Sequence, residues 1–393
     1  MKNEEILLLA LLQASFNKEK LTNDIVASLN DESLAKVLSL SARHSVTTLV
    51  ADVLLTNDLL DDGELKAAYE ENLMVSVYQY HQQAMEFKRI CNLFEENGID
   101  YIPLKGSVLR SLYREPWLRT CCDVDILVKP EQLDAAIELV LTCGYTFDKH
   151  YSHDVSFFTE GNMRVELHFD LIEEEHNICH VCDVLKDAWQ YAHLQEGTKH
   201  TYQFEPELFY FYQLAHMTKH FLHGGCGIRS VIDIWLLRRH WQFNDEKNKM
   251  FLQKGGITVF EEKINALAAA WFDDAEKPEE IISIENYIFT GGIYGSRQNS
   301  MAMENVENGT RLRNTIAKIF LKYSVMKYYY PVLQKHKWLL PFYEVKRWCK
   351  LIFFKEHRDR SLTYLKEIRS FPDSRAKESM ALLLQLDLKK ESD

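Results

Sequence analysis

Apolar side chains recur every three or four residues up to about residue 96 and again after about residue 200. The clearest case runs from Glu64 to Glu96, where alternating spacings of four and three form one apolar stripe on a long helix. The pair Asn97-Gly98 is expected to end this helix. Further helices are predicted at 205–222, 228–241, 257–272, 309–327 and 343–369.

Between Ile99 and about residue 200 the pattern changes to short β-branched runs and to polar–apolar alternation. The strand-like runs are YIPLKG, CDVDILV, SHDVSFFT and MRVELHFDL, with a helical segment after each of the first two. Glu160-Gly161-Asn162 fits a hairpin turn between the last two. This order predicts an α+β protein with a small mixed β-sheet in residues 97–200, an N-terminal helical region at 1–96 and a C-terminal helical domain at 201–393.

The charge is unevenly distributed along the chain. The net charge of the 393 residues is −12, yet residues 311–360 hold 13 Lys and Arg against three Asp and Glu, together with eleven aromatic residues. Such a segment can bind single-stranded nucleic acid or an anionic membrane surface, or it can combine core aromatics with solvated lysines. The sequence leaves these three possibilities open.

The eight cysteines are scattered and predict reduced thiols, not a disulfide framework. The N-terminus starts with acidic residues, lacks a signal-peptide cleavage site and is followed by no run of about 18 apolar residues. We therefore expect a cytoplasmic protein. The motif Cys179-x-x-Cys182, with His176 and His180 nearby, leaves a soft-metal site open, although one such pair is typical of an ordinary loop.

Acidic side chains alternate along two of the predicted strands. Asp123 and Asp125 are two residues apart and point to one face, and the same alternation places Glu166 and His168 on one face of a later strand. If these strands are neighbours, three carboxylates converge and repel one another unless a cation lies among them. Mg²⁺ prefers such oxygen ligands, and two ions could activate an attacking oxygen and stabilise a leaving pyrophosphate. His168 is expected either to orient a carboxylate or substrate, or to form a hydrogen-bonded edge of the core.

The LKGS motif stands between a predicted strand and a predicted helix. Gly106 lacks a Cβ, so a phosphate can approach its backbone, and Ser107 adds a hydroxyl at the helix start. Lys105 and Arg119 are candidates to neutralise phosphate charge. Surface ion pairing is the alternative for both.

Three histidines follow in HMTKHFLHGGCG. His216 and His220 are four residues apart and share a helix face, but the glutamate of the HExxH zinc pattern is absent. We therefore expect this helix to line the cleft, with Lys219 or His220 contacting nucleotide phosphate. Asp233 is expected to form a structural pair with Arg229 or with one of these histidines.

The order of LKGS, DVD and a later strand carboxylate resembles the polymerase-β-type nucleotidyltransferase superfamily. The longer run from IPLKGSVLRSLY through Arg119 to VELHFDL, with HMTKHFL and IRSVIDIWLL downstream, is similar to a bacterial family of largely uncharacterised nucleotidyltransferases. The similarity covers roughly residues 35–240 well. Two departures are the fifteen residues between Ser107 and Asp123 and the glutamate at the third acidic position, where aspartate is common.

The resemblance implies a minimal nucleotidyltransferase fold for residues 97–200, with the C-terminal helices closing over the nucleotide. It implies that Asp123 and Asp125 bind two Mg²⁺ ions. It also implies that Glu166 ligates the catalytic metal and helps to deprotonate the acceptor, while Gly106 and Ser107 hold the β- and γ-phosphates.

The expected reaction transfers a nucleoside monophosphate from a nucleoside triphosphate to an acceptor hydroxyl, with release of pyrophosphate. A small metabolite or antibiotic, a protein side chain and an RNA 3′ end all remain possible acceptors. The alternatives are a non-catalytic nucleotide- or partner-binding module of the same fold and a two-metal phosphodiesterase.

Overall fold

The N-terminal part of the chain is helical, as predicted. The computed structural model describes residues 1–17, 21–171, 179–308, 316, 319–330, 332–353 and 372–389. The first helices are α1 (Asn3–Asn17), α2 (Asn23–Ser28), α3 (Asp31–Arg43), α4 (Thr47–Thr56) and α5 (Glu64–Asn97). The predicted end of the long helix is confirmed: Gly98 follows α5 with a φ of 75°, a conformation that glycine adopts without steric cost.

The middle of the chain forms a mixed five-stranded sheet. Its elements are β1 (Tyr101–Pro103), α6 (Gly106–Leu109), β2 (Asp123–Val128), α7 (Leu133–Thr142), β3 (Thr146–His150), β4 (Asp154–Phe158) and β5 (Arg164–His168). The strand order is β1-β2-β5-β4-β3, with β2 and β5 parallel and the other pairs antiparallel. The predicted hairpin turn at 160–162 is confirmed, because β4 and β5 pair across it. The α+β class with a small mixed sheet and helical flanks is therefore correct.

The two faces of the sheet have different surroundings. One face carries the apolar positions of β2 and β5, such as Val124 and Leu167, which are buried against Phe94 of α5 and Val140 of α7. The alternating positions Asp125, Glu166 and His168 therefore lie on the opposite face. That face is where the helices after the sheet meet it.

After β5 the chain is mainly helical. The elements are α8 (Val181–Leu185), β6 (Ala192–Leu194), β7 (Tyr202–Phe204), α9 (Pro206–Leu222), α10 (Gly227–His240), α11 (Asp245–Gly255), α12 (Thr258–Phe272), α13 (Ile282–Gly291) and α14 (Arg297–Asn308). Three of the predicted helices are thus confirmed as α9, α10 and α12. The helices α11, α13 and α14 were not predicted.

The C-terminal part contains α15 (Tyr323–Tyr329), α16 (Val332–Lys335), α17 (Leu340–Phe353) and α18 (Asp373–Gln385). The predicted helices 309–327 and 343–369 fall partly outside the described residues. The same holds for the basic–aromatic segment 311–360, in whose described part Trp338 and Phe353 are 77% and 80% exposed. None of the described helices has the length and apolar character needed to cross a membrane.

The cysteines are free thiols, as expected. Cys179 and Cys182 are both half-buried, and Cys179 packs against Gly256 at the end of α11. His176, the nearby histidine on which the soft-metal hypothesis also depended, lies outside the described residues.

Candidate active site

The acidic residues of two strands meet because the strands are neighbours. β2 and β5 run parallel, and their register places Asp125 directly beside Glu166 and Leu127 beside His168. The predicted convergence of the carboxylates required these two strands to be neighbours, and they are. Asp123 lies two residues earlier on β2, beside Arg164, and is partly exposed.

The most compact group on this face consists of Asp125, Glu166 and His168. One possible metal-ligand atom from each lies within 4.8 Å of the others, so these residues form a candidate metal site. His168 Nε2 is 2.8 Å from Asp125 Oδ1 and 3.5 Å from Glu166 Oε2. The group differs from the predicted set of ligands because it contains His168 and not Asp123.

Lys105 adds a positive charge to this group. Its Nζ donates a hydrogen bond of 2.8 Å to Asp125 Oδ1. Burial lowers the pKa of Lys105, but the nearby charges of Asp125, Asp123 and Glu166 act together against this effect, and the pKa lies well above its ordinary value. Lys105 also has a φ of 38°, which is unfavourable for a residue with a side chain and indicates local backbone strain at the turn.

The protonation states differ sharply within a few ångströms. The negative charge of Asp125, together with burial, raises the pKa of Asp123 to about 6. Burial also acts to raise the pKa of Asp125, but Lys105 and the hydrogen bond from His168 lower it well below its usual range. Burial and Lys105 act to lower the pKa of His168, yet its hydrogen bonds to Asp125 and Glu166 raise it to about 8. At neutral pH, Asp125 is therefore ionised and His168 is mostly protonated.

The Gly106–Ser107 turn is packed more tightly than expected for an open phosphate loop. A Cβ on Gly106 would lie 2.7 Å from Cys121 Sγ and 3.1 Å from Arg119 Nη1. The backbone N–H of Ser107 donates to the carbonyl oxygen of Leu104 at 3.1 Å. The helix that follows is only the four residues Gly106–Leu109.

A cavity of about 280 Å³ lies between the sheet and the helices α9 and α10. The residues predicted for the site that line it are Lys105, Gly106, Arg119, Asp123, Asp125, Glu166, His168 and His220. Ser107 is not among the lining residues. The structure therefore brings all but one of the predicted site residues to a single cavity.

Arg119 and Asp233 form a buried ion pair at the wall of this cavity. Arg119 Nε and Nη2 donate to the two carboxylate oxygens of Asp233 at 2.8 and 2.9 Å, and Tyr113 donates its hydroxyl to Asp233 Oδ1 at 2.8 Å. The expected pairing of Asp233 with Arg229 or a histidine is therefore wrong. Instead, Arg229 Nη1 donates to the carbonyl oxygen of Thr120 at 2.6 Å.

The histidines of α9 line the cavity as uncharged side chains. His216 Nε2 and His220 Nε2 are 3.3 Å apart. Burial and the positive charges of Lys219 and Lys105 lower the pKa of His220 to about 4, and burial with the neighbouring His220 lowers that of His216. Any contact of His220 with phosphate at neutral pH would therefore be a neutral hydrogen bond.

The polar residues of the cavity wall that the sequence predictions missed include Gln213 of α9 and Arg229 of α10. Gln213 precedes His216 by three residues and His220 by seven, so it shares their helix face. This spacing was a usable signal for Gln213. No local pattern singles out Arg229, which stands in the first turn of its helix.

A comparison with known families gives one match. The family described as uncharacterised nucleotidyltransferase matches residues 30–273, which run from α3 through the sheet to the end of α12. Neither the curated proteins nor the solved structures contain a match to the chain. The matched range includes every cavity residue discussed above and more than half of the sequence, so this chain belongs to the uncharacterised nucleotidyltransferase family.

Proposed function

We propose that this protein uses Mg²⁺ to transfer a nucleoside monophosphate from a nucleoside triphosphate to an acceptor hydroxyl, with release of pyrophosphate. The family assignment supports nucleotidyl transfer in general. The observation that carries the specific proposal is the meeting of Asp123, Asp125 and Glu166 on neighbouring parallel strands at one cavity.

The donor atoms at this cavity fit a hard divalent cation. Carboxylate oxygens are the protein ligands that Mg²⁺ prefers, and the raised pKa of Asp123 reflects an excess of negative charge that a cation would relieve. Bound by Asp123, Asp125 and Glu166, Mg²⁺ would offset the charge of the triphosphate and favour the departure of pyrophosphate.

His168 fits a different role in this proposal. Its Nε2 lies 2.8 Å from Asp125 Oδ1, a hydrogen-bond distance at which the ring donates its proton to the carboxylate. A protonated ring nitrogen donates a hydrogen bond and offers no lone pair to a metal. We therefore assign His168 as a positioning residue that orients the Asp125 carboxylate.

The chemical step needs one proton acceptor and one leaving group. Glu166 would take the proton of the acceptor hydroxyl as its oxygen bonds to the α-phosphorus. The bond from the α-phosphorus to the bridging oxygen then breaks, and its electron pair leaves with pyrophosphate. Holding both reactants in line contributes much of the rate enhancement for such a reaction.

For the acceptor and for the partner of segment 311–360, we propose only a chemical class. A small molecule, a protein side chain or an RNA 3′ end would each present the required hydroxyl. The basic–aromatic segment 311–360 could contact a nucleic acid or a membrane surface, and residues such as Trp338 and Phe342 are exposed there. The labelled product of the reaction would distinguish among these acceptors by size.

The proposal is tested by pyrophosphate release from each of the four nucleoside triphosphates, with Mg²⁺ and cell extract as the source of acceptor. We expect the Asp123→Asn/Asp125→Asn variant to lose on the order of 10²–10³-fold in rate or more, because charge stabilisation is lost at the reacting phosphate. Asp134→Asn, an exposed acid on α7, is the matched control and should keep full activity. Undiminished turnover in the double variant would refute the assignment. Mg²⁺-dependent nucleotide binding without pyrophosphate release would favour the non-catalytic module.

A further inference from the structure

Three buried guanidinium and amide nitrogens at the wall of the cavity have no hydrogen-bond acceptor within the described part of the chain. They are Arg119 Nη1, Gln213 Nε2 and Arg229 Nε. All three residues line the same cavity as the carboxylates. We call Arg119, Gln213 and Arg229 the donor wall.

The two arginines are held in place by their other nitrogen atoms. Arg119 is fixed on Asp233 through Nε and Nη2, and Arg229 is fixed on the Thr120 carbonyl through Nη1. The side chain of Arg119 is only 6% exposed. Fixed and buried donors are costly when they remain unpaired, so their presence at one cavity points to a ligand that supplies acceptors.

The charges of the cavity define the chemistry of that ligand. The donor wall offers two guanidinium groups and an amide, and Lys105 and Lys219 line the same cavity. Guanidinium groups bind phosphate oxygens with good geometry, and a phosphate chain presents several acceptors in a row.

We infer that the donor wall binds the β- and γ-phosphates of the nucleoside triphosphate. The inference rests on the proposed function. It assigns the binding of these phosphates to α9, α10 and the segment before β2, whereas the family resemblance assigned it to Gly106 and Ser107. Ser107 does not line the cavity, and its N–H is already bonded to Leu104. The triphosphate would thus bridge the carboxylates of the sheet and the donors of α9, α10 and the segment before β2.

The test compares the dissociation constants of ATP, AMP and inorganic tripolyphosphate by titration calorimetry in the presence of Mg²⁺. Arg229→Met should weaken ATP and tripolyphosphate binding about 10- to 100-fold while AMP binding changes little, because only the former reach the donor wall. Arg238→Met is the matched control: Arg238 is exposed on the same helix, does not line the cavity, and should leave all three constants unchanged.

Gln213→Met provides a second variant that does not depend on an arginine. It removes a buried unpaired donor, so the ligand-free protein should melt at the same or a higher temperature, while the preference for ATP over AMP falls. Such opposite effects on stability and binding would not arise from damage to the fold.

Unchanged ATP-to-AMP preference in both Arg229→Met and Gln213→Met would overturn the inference, as would loss of that preference only in Ser107→Ala. Failure of the wild type to bind either ATP or tripolyphosphate would also overturn it.

The donor wall and the proposed function can fail independently of each other. Tripolyphosphate binding that depends on Arg229, without pyrophosphate release from any triphosphate, would support the donor wall and contradict the proposed function. Normal pyrophosphate release by Arg229→Met, with an unchanged KM for the triphosphate, would contradict the donor wall and support the proposed function.

Discussion

Gly106 is constrained by packing as well as by any role in phosphate binding. Its Cα faces the thiol of Cys121 and the guanidinium of Arg119 closely enough that a methyl group would overlap the sulfur. Cys121 in turn lies two residues before Asp123, so a shift at Gly106 would be transmitted to the start of β2. The absence of a side chain at Gly106 thus allows the Lys105 turn to pack against the segment that leads into β2.

We predict that Gly106→Ala lowers the free energy of unfolding by about 1–2 kcal/mol, because the new methyl group overpacks this contact. Adding Cys121→Ala should restore part of that loss, since it removes the sulfur that the methyl group meets. Urea unfolding of the single and double variants measures both effects. Gly161→Ala is the control, as its nearest neighbour would be an ordinary contact of 3.7 Å. Equal stability of Gly106→Ala and wild type would contradict the packing argument.

At the residue scale, the sequence was sufficient to predict the facing carboxylates but not their partners. Alternation along a strand follows from local geometry, so the shared face of Asp123 and Asp125 could be read directly. The pair Arg119–Asp233 joins residues 114 positions apart, and such contacts depend on how distant helices pack. Arg229 likewise acquires its position only through the packing of α10 on the sheet.

The junction between α3 and α10 depends on a neutral histidine. His44, the residue after α3, is fully buried, and its Nδ1 accepts a hydrogen bond of 3.2 Å from the backbone N–H of Ile228 in the first turn of α10. Burial, and secondarily the adjacent charge of Arg43, lowers the pKa of His44 from 6.5 to about 4. The folded protein therefore excludes the proton that the unfolded chain binds below about pH 6.5.

We predict that this histidine contributes stability above pH 6.5 that is lost as the pH falls toward 4. In this window the unfolded chain holds more protons than the folded one, so the free energy of unfolding decreases with falling pH, by up to about 3 kcal/mol from this residue. His44→Gln should make the pH dependence of the melting temperature shallower between pH 6.5 and 4. His240→Gln, at the exposed end of α10, should retain the wild-type slope. An identical slope in His44→Gln and wild type would contradict the assignment.

At the element scale, the sequence predictions missed two features whose pattern is polar. β3 (Thr146–His150) is exposed along its whole length at the sheet edge and has no apolar alternation, so it was not predicted. In α5 the most buried line includes Tyr69, Ser76, Gln83 and Ile90, seven residues apart. Ser76 and Gln83 donate to the carbonyls of Trp117 and Cys121, and so hold the segment before β2. A search for apolar residues at helical spacing misses this buried face, because Ser76 and Gln83 are polar.

At the scale of the whole molecule, the cavity is shared between the sheet and the helices that follow it. The carboxylates come from β2 and β5, whereas Gln213 and Arg229 come from α9 and α10. The family match from residue 30 to 273 crosses both predicted domain boundaries, at 96/97 and 200/201. The division into three domains stays a prediction, and we propose that the sheet and α9–α10 act as one catalytic unit.

The most direct test of nucleotidyl transfer is to follow which phosphate of the triphosphate becomes attached to an acceptor. Wild-type protein and the Asp125→Asn variant would be incubated with Mg²⁺, cell extract and a triphosphate labelled at either the α- or the γ-phosphorus. We predict that the α-label appears on an acceptor with wild-type protein alone, while the γ-label is released in pyrophosphate. Attachment of the γ-label to the acceptor, or release of the α-label as free monophosphate with no labelled acceptor, would contradict nucleotidyl transfer.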